Sequence, residues 1–166
     1  MNKMWNYIKD WFIEMGSPPL FFKWSSKILP WLVFTTIIIF TLGLTWGLFY
    51  SPTDYKQGDV YRIIYIHVPS AILGQSIFMF MAVCGFITMV WRVKISGMLL
   101  KAAAPIGASF TLLALLTGSI WGKPTWGTWW VWDARLTSTL ILFFIYAAII
   151  GLHSSIDDKS KADRAI

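Results

Sequence analysis

Residues 28–49 read ILPWLVFTTIIIFTLGLTWGLF and contain no charged side chain. A helix needs about 20 consecutive apolar residues to cross the hydrocarbon core of a bilayer, so this run predicts a membrane span. The composition agrees, because 57% of the chain is hydrophobic and 13% is charged. Soluble domains have about 45–50% apolar and about 25% charged residues. The sequence therefore predicts a membrane protein.

Three further runs are long and apolar enough to cross a bilayer: 69–91, 98–120 and 136–153. Lys101 is the one charged residue within them, and its long side chain can reach the membrane surface. We predict a single all-α membrane domain over residues 1–166, a polytopic protein with four transmembrane helices. A Trp-rich loop at 121–135 would join the last two helices, and residues 154–166 would form a polar tail.

The lysines and arginines are distributed unevenly among the predicted loops. Ten of the 14 precede the first span, lie between the second and third spans up to Lys101, or follow the fourth span. The other four lie in the two remaining loops. Basic residues concentrate on the cytoplasmic side, so both termini are predicted to be cytoplasmic and the Trp-rich loop to face outward. The net charge of +6 is thus a topology signal, and no nucleic-acid partner is expected.

Residues 1–27 are predicted to be a cytoplasmic amphipathic segment. Apolar residues recur at helical spacing between Met4 and Met15, with charged residues opposite them. Such a helix would lie on the lipid bilayer surface or pack against a partner subunit. No cleavable signal peptide is expected, because a short apolar core with a small-residue cleavage site is not evident. The single cysteine, Cys84, is expected to be a small buried hydrophobe.

The stretch 121–138, WGKPTWGTWWVWDARLTS, holds five tryptophans. An aromatic belt at the membrane surface would account for them. The interposed glycines and proline instead favour a loop whose indoles form a binding platform, and an acid, Asp133, follows directly. A platform of this kind suits a large, flat, apolar ligand with polar handles, such as haem. Belt and platform both remain open at this point. The five are Trp121, Trp126, Trp129, Trp130 and Trp132.

One histidine is predicted to lie on the same side as these tryptophans. His67 directly precedes the second span, where Pro69 would occupy the first helical turn. It would serve either as an axial ligand of haem iron or as a hydrogen-bonded anchor. His153, at the opposite end of the fourth span, is about 22 Å of helix from Ser138. It is therefore expected to be a cytoplasmic interface residue and not a second ligand at this site.

Haem carboxylates would need cations on the outward side. Arg62, Lys123 and Arg135 are the candidates there, and arginine pairs with carboxylates in a bidentate geometry. Each of them would also serve as an interfacial anchor, and Asp133 and Arg135 would also form a local ion pair.

These segments resemble a known family. Residues 121–138 resemble the tryptophan-rich WWD signature of haem-handling membrane proteins. Residues 61–71, YRIIYIHVPSA, resemble the histidine-bearing segment that precedes it in the haem exporter protein C family of cytochrome c maturation (system I). Residues 104–124, APIGASFTLLALLTGSIWGKP, agree as well, and the resemblance extends from about residue 30 to residue 164.

The resemblance implies a bacterial inner-membrane carrier, not an enzyme, that holds haem b non-covalently and in transit at the periplasmic face. It implies delivery to a periplasmic haem chaperone, and it implies ABC-transporter subunits and a small one-span subunit as further partners. His67 would be the axial ligand. The platform that holds haem and engages the chaperone would consist of Trp121, Trp126, Trp129, Trp130, Trp132 and Asp133.

Two other functions use similar features. A component of a cytochrome c haem lyase or synthase carries the same signature, although such proteins are generally longer. An assembly subunit that binds no haem would use the tryptophans as a protein-binding surface. Members of the resembled family usually have six spans, with a second outward histidine between the last two. With four spans predicted here, we expect either a truncated or split product, or a sixth haem ligand that is supplied from elsewhere.

Overall fold

The computed structural model describes residues 17–155, and these residues are helical apart from short connections. Four of the helices are long and apolar enough to cross a membrane, which confirms the predicted all-α, four-span fold. Residues 1–16 of the predicted amphipathic segment 1–27 and residues 156–166 of the predicted tail lie outside the described residues, whereas residues 18–27 belong to the first long helix.

The first helix, α1, runs over Pro18–Thr45 and continues as a π-helical turn over Trp46–Tyr50. A 3₁₀ helix over Asp59–Ile63 leads directly into α2, Ile64–Trp91. The remaining helices are α3, Lys94–Trp126, and α4, Ala134–Ser155.

Each helix extends beyond its apolar run. The first starts ten residues before position 28, because Pro18 and Pro19 occupy its first turn, where a missing N–H leaves no bond unmade. Pro69 was predicted in the first turn of the second helix, and this is wrong. The 3₁₀ turn starts the helical path earlier, so Pro69 lies inside α2 and His67 lies in its first turn. Hydropathy marks the part of a helix that faces lipid and not the full length of the helix.

The predicted loop 121–135 is also wrong at both ends. Helix α3 continues through Trp126, and α4 begins at Ala134, which leaves residues 127–133 between them. Gly127 ends α3 in a left-handed conformation, with φ of 77°, and its N–H donates to the carbonyl of Lys123. Pro124 is accommodated inside the last turns of the helix. Trp121 and Trp126 are therefore helical residues.

The core of the bundle lies where α2, α3 and α4 meet. Tyr146 of α4 is fully buried there, and its hydroxyl donates to the carbonyl of Gly74 in α2 at 2.8 Å. The Tyr146 ring contacts the bare backbone of Gly107 in α3. Small residues allow membrane helices to approach closely, so this contact joins all three helices. Cys84 is buried in the same cluster.

Helix α3 is the central helix, since it packs against both α2 and α4. By contrast, α1 has no buried residue. Arg92 and Val93 alone separate α2 from α3, and Arg92 makes this tight turn in a left-handed conformation with φ of 53°. The start of α2, the end of α3 and the start of α4 thereby lie together at one end of the bundle.

Candidate functional site

A cavity of about 380 Å³ opens at this end of the bundle. Its volume is within the range of small-molecule sites, which is about 300–1,000 Å³. Four residues singled out from the sequence line it: His67, Trp121, Trp126 and Arg135. The rest of the wall is largely apolar or uncharged, and it consists of Gln57, Ala71, Gln75, Ala114, Leu115, Gly118, Thr125, Leu136 and Thr139.

His67 projects from the first turn of α2 onto α3. Its Nδ1 lies 3.1 Å from the hydroxyl oxygen of Thr117. The imidazole packs beside the backbone of Gly118, and it meets the Trp121 indole edge-to-face at 5.6 Å between ring centroids. Three contacts thus orient a histidine in the cavity wall.

Trp121 is fixed by the connection between the π-helical turn and the 3₁₀ helix. Its indole N–H donates to the side-chain oxygen of Gln57 at 2.7 Å. The carboxylate of Asp54 accepts the backbone N–H groups of Lys56 and Gln57, both at 2.8 Å, which fixes this turn. This connection therefore fixes the position of Trp121, which contacts His67.

Trp126 and Arg135 are exposed members of the cavity lining. The Arg135 guanidinium lies over the Trp126 ring, 5.1 Å from its centroid, which is a cation–π contact. Trp126 is 52% exposed. An aromatic face and a cation are therefore presented together in the cavity lining.

The other three tryptophans lie in the loop outside the cavity wall. Trp130 and Trp132 meet edge-to-face at 5.4 Å, and Lys123 lies 5.9 Å from the Trp129 ring centroid. Trp129 and Trp132 are largely exposed. The Trp130 indole nitrogen is buried without a hydrogen-bond partner among the described residues. An indole N–H in that position has its hydrogen-bonding capacity still unused.

Asp133 is the N-cap of α4. One carboxylate oxygen accepts the backbone N–H of Leu136 at 2.7 Å, and the backbone carbonyl accepts that of Thr137. The other carboxylate oxygen pairs with Arg135 at 3.1 Å. The Leu136 hydrogen bond and, after it, Arg135 hold the pKa of Asp133 below its usual value. The carboxylate is engaged by the helix terminus and is not among the residues that line the cavity.

Replacing Asp133 with alanine is expected to lower the thermal midpoint of the protein, because α4 loses its cap, whereas asparagine should retain most of it. A lowered folded-state pKa contributes stability that is present at neutral pH and is lost as the pH falls below about 4. The advantage of the wild type over Asp133→Ala should therefore be smaller at pH 3 than at pH 7, because the protonated side chain keeps a capping oxygen but loses its charge. Circular dichroism melts at pH 7 and pH 3 measure this. An unchanged difference at the two pH values would contradict it.

Arg62 and Lys123 are engaged elsewhere. Arg62 pairs with Asp59 at 3.2 Å and donates to the carbonyl of Ser51 at 3.0 Å, so it ties the connection to the 3₁₀ helix. The ammonium of Lys123 donates to the carbonyl of Gly127 at the end of α3. Of the three predicted cations, only Arg135 lines the cavity.

Sequence reasoning missed Gln57, Thr117 and Gly118. Thr117 and Gly118 interrupt the apolar run of the third span, and polar or small residues inside a span often mark helix contacts or sites. That signal was available in the sequence. Gln57 lies in a polar connection, and nothing in its neighbourhood marks it.

The comparisons with known proteins agree on one family. The family model described as Heme exporter protein C matches residues 11–166. Heme exporter protein C of Escherichia coli strain K12 is 49% identical over 152 residues, which cover 92% of this chain and 62% of that protein. The Haemophilus influenzae protein of that name is 43% identical over 155 residues, covering 93% and 63%. That of Bradyrhizobium diazoefficiens is 46% identical over 153 residues, covering 92% and 58%. The chain thus spans less than two thirds of the length of these relatives.

Proposed function

Because the chain belongs to the Heme exporter protein C family, we propose that its cavity holds haem in transit and that His67 binds the iron. The observation that carries this proposal is the position of His67. Its imidazole lies in an apolar wall, against one tryptophan and within the same cavity as a second tryptophan and Arg135.

The donor set suits haem better than a bare metal ion. Within residues 17–155 no group of three His, Cys, Asp or Glu side chains lies close enough together to hold a metal. A lone histidine suffices for haem, because the porphyrin supplies four nitrogens and needs only an axial ligand. Trp121 and Trp126 offer apolar surface for the ring, and Arg135 offers a planar partner for a carboxylate.

The loop tryptophans extend this surface outside the cavity. Trp132 is 76% exposed and Trp129 is also largely exposed. Exposed aromatic side chains are typical anchors of protein interfaces. We assign these two to contact with the acceptor of haem, a periplasmic chaperone, and Trp130 supports this surface by packing against Trp132. Arg62 and Asp133 support the site through the connection and the helix cap.

The proposed location is the bacterial inner membrane, with the cavity at the periplasmic end and both termini in the cytoplasm. The charge distribution supports this orientation, because Lys23, Lys27, Arg92 and Lys94 lie at the end of the bundle opposite the cavity. The protein would act as a carrier with ABC-transporter subunits and a small one-span subunit. The chemistry of haem attachment would belong to another component.

His67→Ala is expected to remove haem from the protein purified in detergent, or to shift its Soret band, because the axial ligand is lost. The matched control is His153→Ala, which changes the only other histidine. His153 is 14 residues along α4 from the cavity residue Thr139, or about 21 Å. The control should retain the wild-type spectrum. Equal haem content and identical bands in wild type and His67→Ala would exclude His67 as the ligand.

A further inference from the structure

A hydrogen bond between α2 and α3 lies in the part of the cavity wall that contains His67. Nδ1 of His67 in α2 lies 3.1 Å from the hydroxyl oxygen of Thr117 in α3. Thr117 is 7% exposed, so water does not compete freely for its hydroxyl. The direction of this hydrogen bond follows from the other partners of the Thr117 hydroxyl, the carbonyl oxygens of Leu113 and Ala114.

The Thr117 hydroxyl lies 2.7 Å from the carbonyl oxygen of Leu113, one turn earlier in α3. A carbonyl oxygen only accepts, so two oxygens at this distance require the hydroxyl proton to lie between them. The hydroxyl has one proton, and it is therefore used. Towards His67 the Thr117 oxygen offers only a lone pair, and Nδ1 must donate.

A neutral imidazole carries one ring proton. If that proton is on Nδ1, the lone pair of the ring is on Nε2. The alternative arrangement, with the proton on Nε2, would place the Nδ1 lone pair against the Thr117 lone pair and leave a half-buried nitrogen without a donor. A metal binds the nitrogen that carries the lone pair.

Thr117 also restrains the ring in space. Its side chain is branched at Cβ, which limits its rotamers in a helix. The next residue, Gly118, has no side chain, and a Cβ atom there would lie 3.0 Å from Cε1 of His67. The imidazole thus packs on Gly118, beside the hydroxyl oxygen that accepts the hydrogen bond from Nδ1–H.

We infer that Thr117 is a positioning residue that holds His67 as the Nδ1–H tautomer and thereby presents Nε2 as the haem-binding nitrogen. This inference rests on the proposed function for its second half, the ligation of haem. Its first half, the tautomer, concerns the protein without haem. Partners of ligating histidines fix the tautomer and ring orientation, and their loss typically weakens metal binding about 10–100-fold.

The tautomer is tested first, in haem-free protein labelled with ¹⁵N-histidine. Two-bond ¹⁵N–¹H correlation spectra at pH 8 distinguish the protonated ring nitrogen, and His153→Ala assigns the two histidines. We expect the Nδ1–H form for His67 in the wild type and in Thr117→Ser, which keeps a hydroxyl. Thr117→Val, similar in shape but without a hydroxyl, should shift His67 towards Nε2–H. An Nε2–H wild type, or a tautomer unchanged in Thr117→Val, would overturn the inference.

Haem affinity is measured next by titration in detergent. Thr117→Val should bind haem about 10–100-fold more weakly than the wild type, and Thr117→Ser within a few-fold. The control is Thr88→Val, because Thr88 also donates to the carbonyl four residues earlier but lies at the far end of α2. It should bind as the wild type does. Unchanged affinity in Thr117→Val, with haem ligated by His67, would overturn the positioning role.

The two proposals fail in different ways. A wild type that shows the Nδ1–H tautomer, loses it in Thr117→Val and yet takes up no haem would overturn the proposed function and the ligation half of the inference. It would leave the Thr117–His67 hydrogen bond established. A wild type that binds haem through His67 without any effect of Thr117→Val would overturn the inference alone.

Discussion

Replacing Gly107 with alanine is expected to destabilise the bundle strongly, because a Cβ atom at this position would overlap the ring of Tyr146. Overpacking of a core usually costs about 1–3 kcal/mol. Tyr146 is fully buried and cannot move aside without breaking its hydrogen bond to Gly74, which adds about 1–3 kcal/mol. Thermal and denaturant unfolding in detergent, followed by circular dichroism, measure the loss.

Gly43→Ala is the matched control for this experiment. Gly43 also lies within a helix, but no atom lies within 4 Å of the Cβ that alanine would add. Its unfolding should match the wild type or improve by about 0.5–1 kcal/mol, since alanine favours the helix. Adding Tyr146→Leu to Gly107→Ala should recover part of the loss, because the clash partner is removed. Equal stability of the two alanine variants would show that the three-helix contact is unimportant.

Gly118→Val is expected to reduce haem affinity by about tenfold or more, the range seen when the surroundings of a metal ligand are disturbed. A branched side chain at this position would extend from a Cβ that already lies 3.0 Å from His67. The imidazole would have to move away from Gly118, and its hydrogen bond to Thr117 would be broken. Gly118→Ala should have a smaller effect in the same direction. The readout is the haem titration together with the position of the Soret band.

The control for Gly118→Val is Gly43→Val, which adds the same side chain to open space on α1. Its haem titration should be that of the wild type. Circular dichroism melts of both variants separate a local effect on His67 from unfolding. A folded Gly118→Val protein that binds haem with wild-type affinity and spectrum would exclude a role in haem binding for the packing of His67 against Gly118.

The predictable part of this fold is the part that hydropathy determines. Runs such as 28–49 predicted four helices, and these are present. Because successive spans alternate in direction, His67, Trp121 and Arg135 were expected at one end, and they line one cavity. The helix ends were not predictable in this way, since a helix continues beyond the bilayer wherever its backbone bonds can be made. Pro124 suggested a loop, but α3 runs through it.

Contacts between residues far apart in the sequence were the second feature that the sequence did not predict. Thr117 meets His67 only because α2 and α3 have particular rotations about their axes, and a pattern of apolar residues does not specify these. Asp133 shows a third limit, in which one residue suits two roles. An acid that follows tryptophans suggested a ligand platform, but an acid three residues before Leu136 is equally a helix cap. Only the hydrogen bond to Leu136 in the folded structure distinguishes the helix cap from the ligand platform.

The two-residue turn between α2 and α3 affects the order in which the cavity wall assembles. His67 lies 25 residues before Arg92, and Thr117 lies 24 residues after Val93, so the two positions are almost equally far from the turn. Closing this hairpin is enough to bring them together. The contact between His67 and Thr117 therefore needs only helices that are synthesised before α4. Helix α4 then adds Arg135 to a cavity wall in which His67, the proposed ligand, already lies against α3.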